Sequence, residues 1–427
     1  MKITYMAAGA GAMYCGACIR DLALVAGLRE RGHEVDLIAL YTPLKGDTER
    51  VAETASVYYG GINVFLQQAS ALFRHTPERF DRLLDASSLL GVAARFGVST
   101  APEKLGPVTV SVLAGEDGRQ RKELVRLVDR FRRVGRPDVA NITNSLLSGI
   151  APALKAATGT PIVCNVQGED SFLERIPEPH YSECVRLMRK NAESVDLFLA
   201  PSDMHARKMA EWLGTPSGKM KVVPAGVDAK PFARSRARRR VPFTVGYLSV
   251  INPPKGLDVL VDAFGILVNE RARDARLHVA GRVLDKRFWK TVVAKLSSLG
   301  LGSRAEFEGE LGLEGKVEFL HNVSAFCVPS RIEESRGMAV MEAMAVGLPV
   351  VAPRSGIFPE LIASRKNGLM FEPGNAGDVA DKLARLMDRP DEADAIGVSA
   401  ARRISRHNSL EQMVAGVEAA YEDAMSG

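Results

Sequence analysis

The chain has 427 residues, of which 46% are hydrophobic and 25% charged, with 38 glycines and 22 prolines. These proportions are typical of a globular protein of two or three domains, and they exclude a disordered, collagen-like or small disulfide-stabilised protein. The net charge of +5 is too small to indicate nucleic acid as a partner by itself.

Several features favour a cytoplasmic protein. No apolar run approaches the about 20 residues of a membrane-spanning helix, and Ile3–Ala8 is too short for a signal peptide. The cysteines are odd in number and scattered, as in a reducing compartment. They are Cys15, Cys18, Cys164, Cys184 and Cys327. Cys15 and Cys18 form a lone C-x-x-C without the further ligands of a tetrahedral metal site, so we expect no metal there.

The first half of the sequence alternates short apolar runs with amphipathic helices, as parallel βαβ units do. A strand over Lys2–Ala7 leads through a glycine-rich turn into a helix over about Cys18–Arg31, which Gly32 ends. The further predicted strands are Glu34–Leu40, Val139–Ile142, Pro161–Val166, Leu197–Ala200 and Lys221–Val223. Residues 46–118 are less regular, and we expect insertions there that cover loops of the first domain.

The glycine-rich turn stands where a dinucleotide-binding fingerprint would stand but departs from it. Tyr14 occupies the position of the third glycine, and no acidic residue follows the second strand, which ends at Leu40. NAD is therefore not expected. Small residues before a helix suit a bound phosphate, with a tight turn as the alternative, and Gly11 is the candidate phosphate contact.

A basic segment, Arg119–Arg136, holds eight basic and two acidic residues. Leu124, Leu127, Val128 and Phe131 recur at helical spacing, which predicts an amphipathic helix with a cationic face. The simplest interpretation is a solvated face on a helix that packs against the core. Attraction to an anionic bilayer or to a lipid-linked substrate is the main alternative, and nucleic acid is a lesser one.

A second series of strands follows Arg234–Arg240, which lacks apolar periodicity and is predicted to be a linker. The predicted strands are Phe243–Leu248, Ala275–Ala280, Ala305–Phe307, Ala325–Val328 and Pro349–Ala352, and a final helix covers about Ser409–Met425. The pattern predicts two α/β domains with doubly wound parallel sheets, residues 1–230 and 241–405. Residues 406–427 should form a C-terminal helix that packs back on the first domain. Two such sheets facing each other would leave a cleft for two substrates.

The most informative segment is residues 328–351. It reads as a strand ending at Pro329, a loop carrying Glu334, and a helix that starts near Gly337 and ends near Gly347. Gly337 would let a diphosphate approach the helix N-terminus, and Arg336 could add a charge contact. Glu342 stands among apolar residues, where a carboxylate needs hydrogen-bond donors such as ribose hydroxyls. The alternative is that Glu342 lies on a polar surface stripe.

The spacing of Glu334 and Glu342 resembles the E-x7-E signature of family 4 (group 1) retaining nucleotide-sugar glycosyltransferases, which have the GT-B fold of two facing Rossmann-like domains. Further segments resemble motifs of that family in the same order along the chain. They are residues 31–35, 221–228, 254–258, 355–362 and 367–369.

The resemblance implies a role for each candidate residue. Glu342 would hold the nucleotide ribose, and Lys255 would neutralise the leaving diphosphate. Glu334 and the backbone amides of Arg336, Gly337 and Met338 would meet the donor sugar and its diphosphate, and Gly11 would lie close to that phosphate. Fixed donors aimed at developing charge would be the main catalytic contribution.

The implied reaction moves a hexosyl group from a UDP- or GDP-linked sugar to an acceptor, with retention of configuration. The donor's own phosphate oxygen would take the acceptor proton. No D-x-D sequence occurs in the chain, which agrees with a reaction that needs neither a metal nor another cofactor.

Three positions depart from the family pattern. Val250 replaces an arginine that usually precedes the lysine by five residues, and Arg336 replaces an aromatic residue, so Arg336 could supply the missing charge. Gln167 replaces a histidine that contacts the donor sugar, and an amide can bind a hydroxyl but cannot carry a proton.

These departures keep two alternatives open, a donor-binding protein with little turnover and a nucleotide-sugar epimerase. The acceptor, whether glycan, lipid-linked or small molecule, has no recognisable motif. The protein is expected in the cytoplasm, with peripheral contact at the inner face of the membrane as an option.

Overall fold

The protein, described here by a computed structural model, is defined over residues 1–9, 16–46, 48–59, 67–68, 102–232 and 242–427. The chain forms two compact units. Unit 1 comprises Met1–Pro224 and Met413–Gly427, and unit 2 comprises Ala225–Gln412. Gly11, the predicted linker Arg234–Arg240 and much of the irregular segment 46–118 lie outside the described residues.

Unit 1 contains a parallel sheet of seven strands in the order β3-β2-β1-β4-β5-β6-β7. The strands are β1 (Lys2–Ala8), β2 (Glu34–Leu40), β3 (Ser56–Tyr58), β4 (Val139–Ile142), β5 (Ile162–Asn165), β6 (Leu197–Ala200) and β7 (Met220–Val222). The strands β4, β5 and β6 are buried along their whole length. This explains why they are mostly apolar, with one asparagine each in β4 and β5, and do not alternate between apolar and polar residues.

The helices of unit 1 connect these strands. They are α1 (Gly16–Glu30), α2 (Glu49–Ala52), α3 (Pro102–Leu113), α4 (Arg121–Val134), α5 (Ala151–Thr158), α6 (Asp170–Leu173), α7 (His180–Ala192) and α8 (Asp203–Leu213). The predicted basic amphipathic helix is α4, and its four apolar side chains are buried as expected.

Unit 2 contains a parallel sheet of six strands in the order β10-β9-β8-β11-β12-β13. The strands are β8 (Phe243–Leu248), β9 (Ala275–Ala280), β10 (Ala305–Phe307), β11 (Ala325–Cys327), β12 (Val350–Pro353) and β13 (Leu369–Phe371). The direction in which successive strands are added reverses between β8 and β11. Ligands of doubly wound folds bind beyond the carboxyl ends of the strands at such a point.

The helices that follow these strands complete the fold. They are α9 (Leu257–Gly265), α10 (Lys286–Ser298), α11 (Leu313–His321), α12 (Met338–Ala345), α13 (Phe358–Leu361), α14 (Ala376–Asp388), α15 (Pro390–His407) and α16 (Leu410–Ser426). The core of unit 2 is one large apolar cluster between the sheet and the helices α9 to α15.

The final helix, α16, lies mainly within unit 1. Its buried apolar side chains are Met413, Val414, Val417, Ala420 and Tyr421. Gly27 on α1 makes room for this helix, since a Cβ there would come within 2.5 Å of a methyl group of Val414. In the described part of the chain, no helix is long and apolar enough to span a membrane.

The predicted α/β fold with two doubly wound parallel sheets is confirmed, with differences at the element ends. The first helix begins at Gly16 instead of Cys18, and the strand predicted to end at Pro329 ends at Cys327. Two edge strands, β3 and β13, were not predicted.

Candidate functional site

Two predicted site residues, Lys255 and Glu334, meet at the point in unit 2 where the strand order reverses. Lys255 follows β8 and Glu334 follows β11, and these strands are hydrogen-bonded neighbours. The Lys255 ammonium forms an ion pair with the Glu334 carboxylate, and each side chain is 18% exposed. The sequence suggested a separate ligand for each residue, whereas in the structure the two side chains are partners of each other.

Arg331 fastens the turn that carries Lys255 to the loop that carries Glu334. Its backbone N–H donates to the Pro254 carbonyl at 2.8 Å, and its guanidinium donates to the Pro253 carbonyl at 2.8 Å. The same guanidinium forms a two-bond ion pair with Asp258 at 2.7 and 2.6 Å. Partial burial alone would raise the pKa of Asp258, but the Arg331 hydrogen bonds and charge hold it below its ordinary value.

The Lys255 turn is also held from the side of the sheet. The buried hydroxyl of Tyr247 lies 3.3 Å from the Val250 carbonyl and 3.5 Å from the Lys255 carbonyl. Burial raises the pKa of Tyr247, so the phenol keeps its proton. Gly256 has φ +69°, and a Cβ there would lie 1.9 Å from the Pro329 carbonyl oxygen. The two loops therefore approach each other as closely as the backbone allows.

The loop after β12 fixes the backbone of Glu334. The Ile357 N–H donates to the Glu334 carbonyl at 2.8 Å. Gly356 has φ +58°, and a Cβ there would come within 2.6 Å of the Glu334 backbone. The position of Glu334 is thus set by three loops at the carboxyl ends of neighbouring strands.

The predicted helix after Glu334 is α12, and the glycine before it has a left-handed backbone conformation. Gly337 is the N-cap residue with φ +64°, and Met338 is the first residue of the helix. Arg336 and Met338 are half-buried. The first-turn N–H groups of a helix have no partners within the helix, so they form a positive end suited to an anion.

Glu342 is buried on α12, with 6% of its surface exposed, which excludes the surface-stripe alternative. The ammonium of Lys316, equally buried on α11, donates to Glu342 Oε1 at 2.9 Å. The sequence reasoning missed Lys316. The available signal was a lysine among apolar residues of a short helix, but nothing in the sequence placed that lysine beside Glu342.

Gln167 lies at the carboxyl end of β5 in unit 1, with its side-chain amide buried. The amide donates to the Thr143 carbonyl at 2.6 Å and to the Thr143 hydroxyl at 3.0 Å. The Glu169 carboxylate accepts the N–H groups of Ser145, Gln167 and Gly168 at 2.8, 2.6 and 2.9 Å. The Glu169 side chain therefore fixes the turn that contains Gln167.

A buried ionic network lies beneath Gln167. The Asp21 carboxylate accepts a hydrogen bond from Tyr5 at 2.7 Å and another from the Thr143 hydroxyl. Arg20 pairs with Asp21 and donates to Asn165 at 3.0 Å. Burial and then the Asp21 charge raise the pKa of Tyr5. Two adjacent charges inside the otherwise apolar helix α1 were the overlooked signal.

The cationic face of α4 is partly neutralised. Three of its arginines pair with carboxylates: Arg126 with Glu123, Arg130 with Asp36, and Arg132 with Asp129. Glu123 and Asp129 belong to the basic segment itself, so only Asp36 adds a negative charge to the balance that the sequence gives.

Within the described ranges, one group of side chains has the composition and spacing of a metal site. The ligand atoms of His278, Glu306 and Glu308 lie within 4.8 Å of one another. They stand on β9, on the edge strand β10 and just after it, away from the loops that carry Lys255 and Glu334. His278 Nε2 is 2.8 Å from Glu308 Oε1.

Comparison with known proteins follows the division into two units. The family described as "Glycosyl transferase 4-like domain" matches residues 19–226, and "Glycosyl transferases group 1" matches residues 231–403. The chain is 26% identical over 380 residues to a D-inositol 3-phosphate glycosyltransferase of Kribbella flavida, covering 80% of this chain and 85% of that protein.

Two further similarities concern a mannosyltransferase and a solved structure. The chain is 26% identical over 245 residues to the MMP alpha-(1->4)-mannosyltransferase of Mycolicibacterium hassiacum, and this match spans 57% of each protein. The crystal structure of Anabaena HepE in complex with UDP and glucose superposes with a TM-score of 0.72 at 16% identity, covering 99% of this chain and 100% of HepE. The chain belongs to the group 1 glycosyltransferases, of the family 4 type, and has their GT-B fold.

Proposed function

We propose that this protein transfers a hexosyl group from a nucleotide diphosphate sugar to an acceptor, with retention of configuration and without a metal. The observation that carries the proposal is the meeting of Lys255 and Glu334 at the strand-order reversal of unit 2. A solved relative of this fold contains UDP and glucose, and a mannosyltransferase is among the relatives in sequence.

The diphosphate would bind between Lys255 and the positive end of α12. Gly337 is the N-cap residue and adds no side chain beside the first-turn N–H groups, which would donate to the phosphate oxygens. A diphosphate would compete with Glu334 for the Lys255 ammonium. Its binding would release the Glu334 carboxylate to accept a hydrogen bond from a sugar hydroxyl.

The ribose would be held by Glu342. Lys316 binds Oε1 of this carboxylate and so fixes the orientation of the Glu342 side chain on α12. Paired ribose hydroxyls can then donate to a carboxylate that is already in place. Preorganisation of this kind reduces the entropy lost on binding.

In the transfer step, the acceptor hydroxyl oxygen would form a bond to the anomeric carbon while the bond from that carbon to the diphosphate breaks. The leaving phosphate oxygen would take the hydroxyl proton on the same face, which retains the configuration. Lys255, with Arg336 beside α12, would stabilise the negative charge that develops on the diphosphate. Gln167 would bind a sugar hydroxyl without accepting its proton.

Unit 1 would bind the acceptor, which we leave open as a glycan, a lipid-linked glycan or a small molecule. One relative is named for D-inositol 3-phosphate, so a phosphorylated polyol is a reasonable first candidate. Peripheral contact with an anionic membrane would rest on the cationic residues of α4 that remain after its three ion pairs.

Release of nucleotide from a panel of UDP- and GDP-linked hexoses, with and without candidate acceptors, tests the proposal. We expect release from at least one donor, and a large loss in Lys255→Ala. Lys290→Ala is the matched control, because Lys290 is an exposed lysine of the same unit on α10. Tight donor binding without release would support the alternative that Val250 suggests, a binding protein with little turnover.

A further inference from the structure

Val250 has an apolar side chain at the position where the family pattern has an arginine, a second cation beside Lys255. The hydroxyl of Tyr247 lies within 3.5 Å of the carbonyl oxygens of both Val250 and Lys255, so the two backbone positions are close together. A nucleoside diphosphate carries more negative charge than Lys255 and Arg336 together can balance. A further cation near Val250 would therefore contribute directly to binding.

The pairing of β8 with β9 places Arg282 opposite Val250. The register runs from Phe243 against Ala275 to Leu248 against Ala280. The isolated bridge of Ile251 with Val283 continues it with the same offset. The positions just before that bridge, Val250 and Arg282, therefore stand side by side.

Backbone contacts keep these two segments in register. The Ile251 N–H donates to the Arg282 carbonyl at 2.8 Å, and the Ser249 N–H donates to the Ala280 carbonyl at 3.2 Å. Gly281 has φ +140°, and a Cβ there would lie 1.8 Å from the Ser249 carbonyl oxygen. A side chain at 281 would push the strands apart.

Alternation along the strands puts Val250 and Arg282 on the same face. Ile251 is fully buried and Val283 packs against the core of unit 2, so their preceding neighbours project from the opposite face. Val250 is half-buried and Arg282 is exposed. Within the described part of the chain, the Arg282 guanidinium has no hydrogen bond or ion pair.

We propose that Arg282 supplies, from the neighbouring strand, the cation of the donor-diphosphate site that Val250 does not provide. Neighbouring strands are about 4.8 Å apart, so an arginine side chain can reach across to the space above Val250. Its planar guanidinium can donate two parallel hydrogen bonds to phosphate. This proposal rests on the proposed function, because it needs a diphosphate as ligand.

The test measures the dissociation constants of UDP, GDP, UMP and GMP for the full chain and for variants. Arg282→Ala should weaken binding of the preferred diphosphate about ten- to a hundredfold, and should reduce its advantage over the monophosphate. Arg276→Ala is the control, because Arg276 is an exposed arginine near the other end of β9. It should bind like the parent protein.

A double variant that exchanges the residues at positions 250 and 282 strengthens the test. Val250→Arg combined with Arg282→Val moves the cation to the opposite strand and should recover most of the lost affinity. Unchanged diphosphate affinity in Arg282→Ala, in a parent protein that binds diphosphates, overturns the proposal alone. A folded parent protein that binds none of the four nucleotides overturns the proposed function together with this proposal.

Discussion

Glu342 and Lys316 form a buried ion pair whose energetics follow from their surroundings. Removing a charge from water costs several kcal/mol, and only a close partner compensates for it. The 2.9 Å contact between the two side chains provides that partner. Neither charge should therefore be tolerated alone in this part of unit 2.

We expect Lys316→Met to destabilise unit 2 by about 3–5 kcal/mol, because it leaves the Glu342 carboxylate buried without the lysine. The double variant Lys316→Met/Glu342→Leu should be close to the parent protein in stability. Calorimetric unfolding measures both. Lys382→Met is the control, since its pair with Asp378 is partly exposed and should contribute less than about 1 kcal/mol. Additive effects of the two single substitutions would contradict this account.

The same double variant separates binding from folding at Glu342. Glu342→Ala by itself would leave the Lys316 ammonium buried without its carboxylate, so a loss of binding could reflect a disturbed fold. The double variant keeps unit 2 intact but lacks the carboxylate proposed to hold the ribose. We expect its nucleotide affinity to fall at least about tenfold, measured by calorimetric titration. Parent-like affinity would remove Glu342 from the ribose site.

At the scale of elements, hydrogen bonds from Arg331 hold the loops after β8 and β11 together. Arg331 bonds to the backbone of the Lys255 turn and to Asp258 at the start of α9. These contacts determine where the Lys255 ammonium stands relative to Glu334. The ion pair between Arg331 and Asp258 depends on an ionised Asp258 carboxylate, so its contribution to stability depends on pH.

The pH dependence has a defined sign. Because the pKa of Asp258 is lower in the folded than in the unfolded protein, its pair with Arg331 stabilises the fold fully above the unfolded value of about 4. That stabilisation is lost as the pH falls through the folded value. Asp258→Asn should therefore be less stable than the parent protein at pH 7 and lose less stability on acidification.

Urea unfolding at a series of pH values between 7 and 3 checks this expectation. Arg331→Met is the matched variant, because it removes the other partner and should flatten the same part of the pH curve. If Asp258→Asn follows a curve parallel to that of the parent protein, the pair does not contribute in this way.

Much of the element pattern could be predicted from the sequence, but the pairing between elements could not. Continuous apolar runs such as Leu197–Ala200 indicate buried strands without indicating which strand lies beside which. The E-x7-E spacing predicted Glu334 and Glu342 as site residues, and the resemblance predicted Lys255. The partner Lys316 and the neighbour Arg282 lie on other elements, and only the register and packing of the sheet place them beside the site.

At the scale of the whole chain, α16 is the last element in sequence and yet belongs mainly to unit 1. Glu418 on this helix binds His33 at 2.7 Å and Arg31 at 2.5 Å. Lys221 on β7 also pairs with Asp423. The polar contacts surround five buried apolar side chains, so the helix completes the apolar core of unit 1 on that side.

Deleting Met413–Gly427 should lower the unfolding temperature of unit 1 strongly and leave that of unit 2 almost unchanged. Each apolar side chain that becomes exposed costs about 1.5–3 kcal/mol. Differential scanning calorimetry can follow the two units. Glu418→Gln, which removes only the ion pairs, should have a small effect. Equal shifts of both transitions would contradict the assignment of α16 to unit 1.

The order of these segments also has a consequence for synthesis on the ribosome. The chain leaves unit 1 at Pro224 and returns to it only at Met413. All of unit 2 is therefore translated before the part of α16 that belongs to unit 1. Unit 2 can therefore reach its final packing first. Unit 1, although translated earlier, keeps an uncovered apolar surface until Met413–Gly427 packs on it. A nascent-chain protease digestion series should show protection of unit 2 preceding that of unit 1.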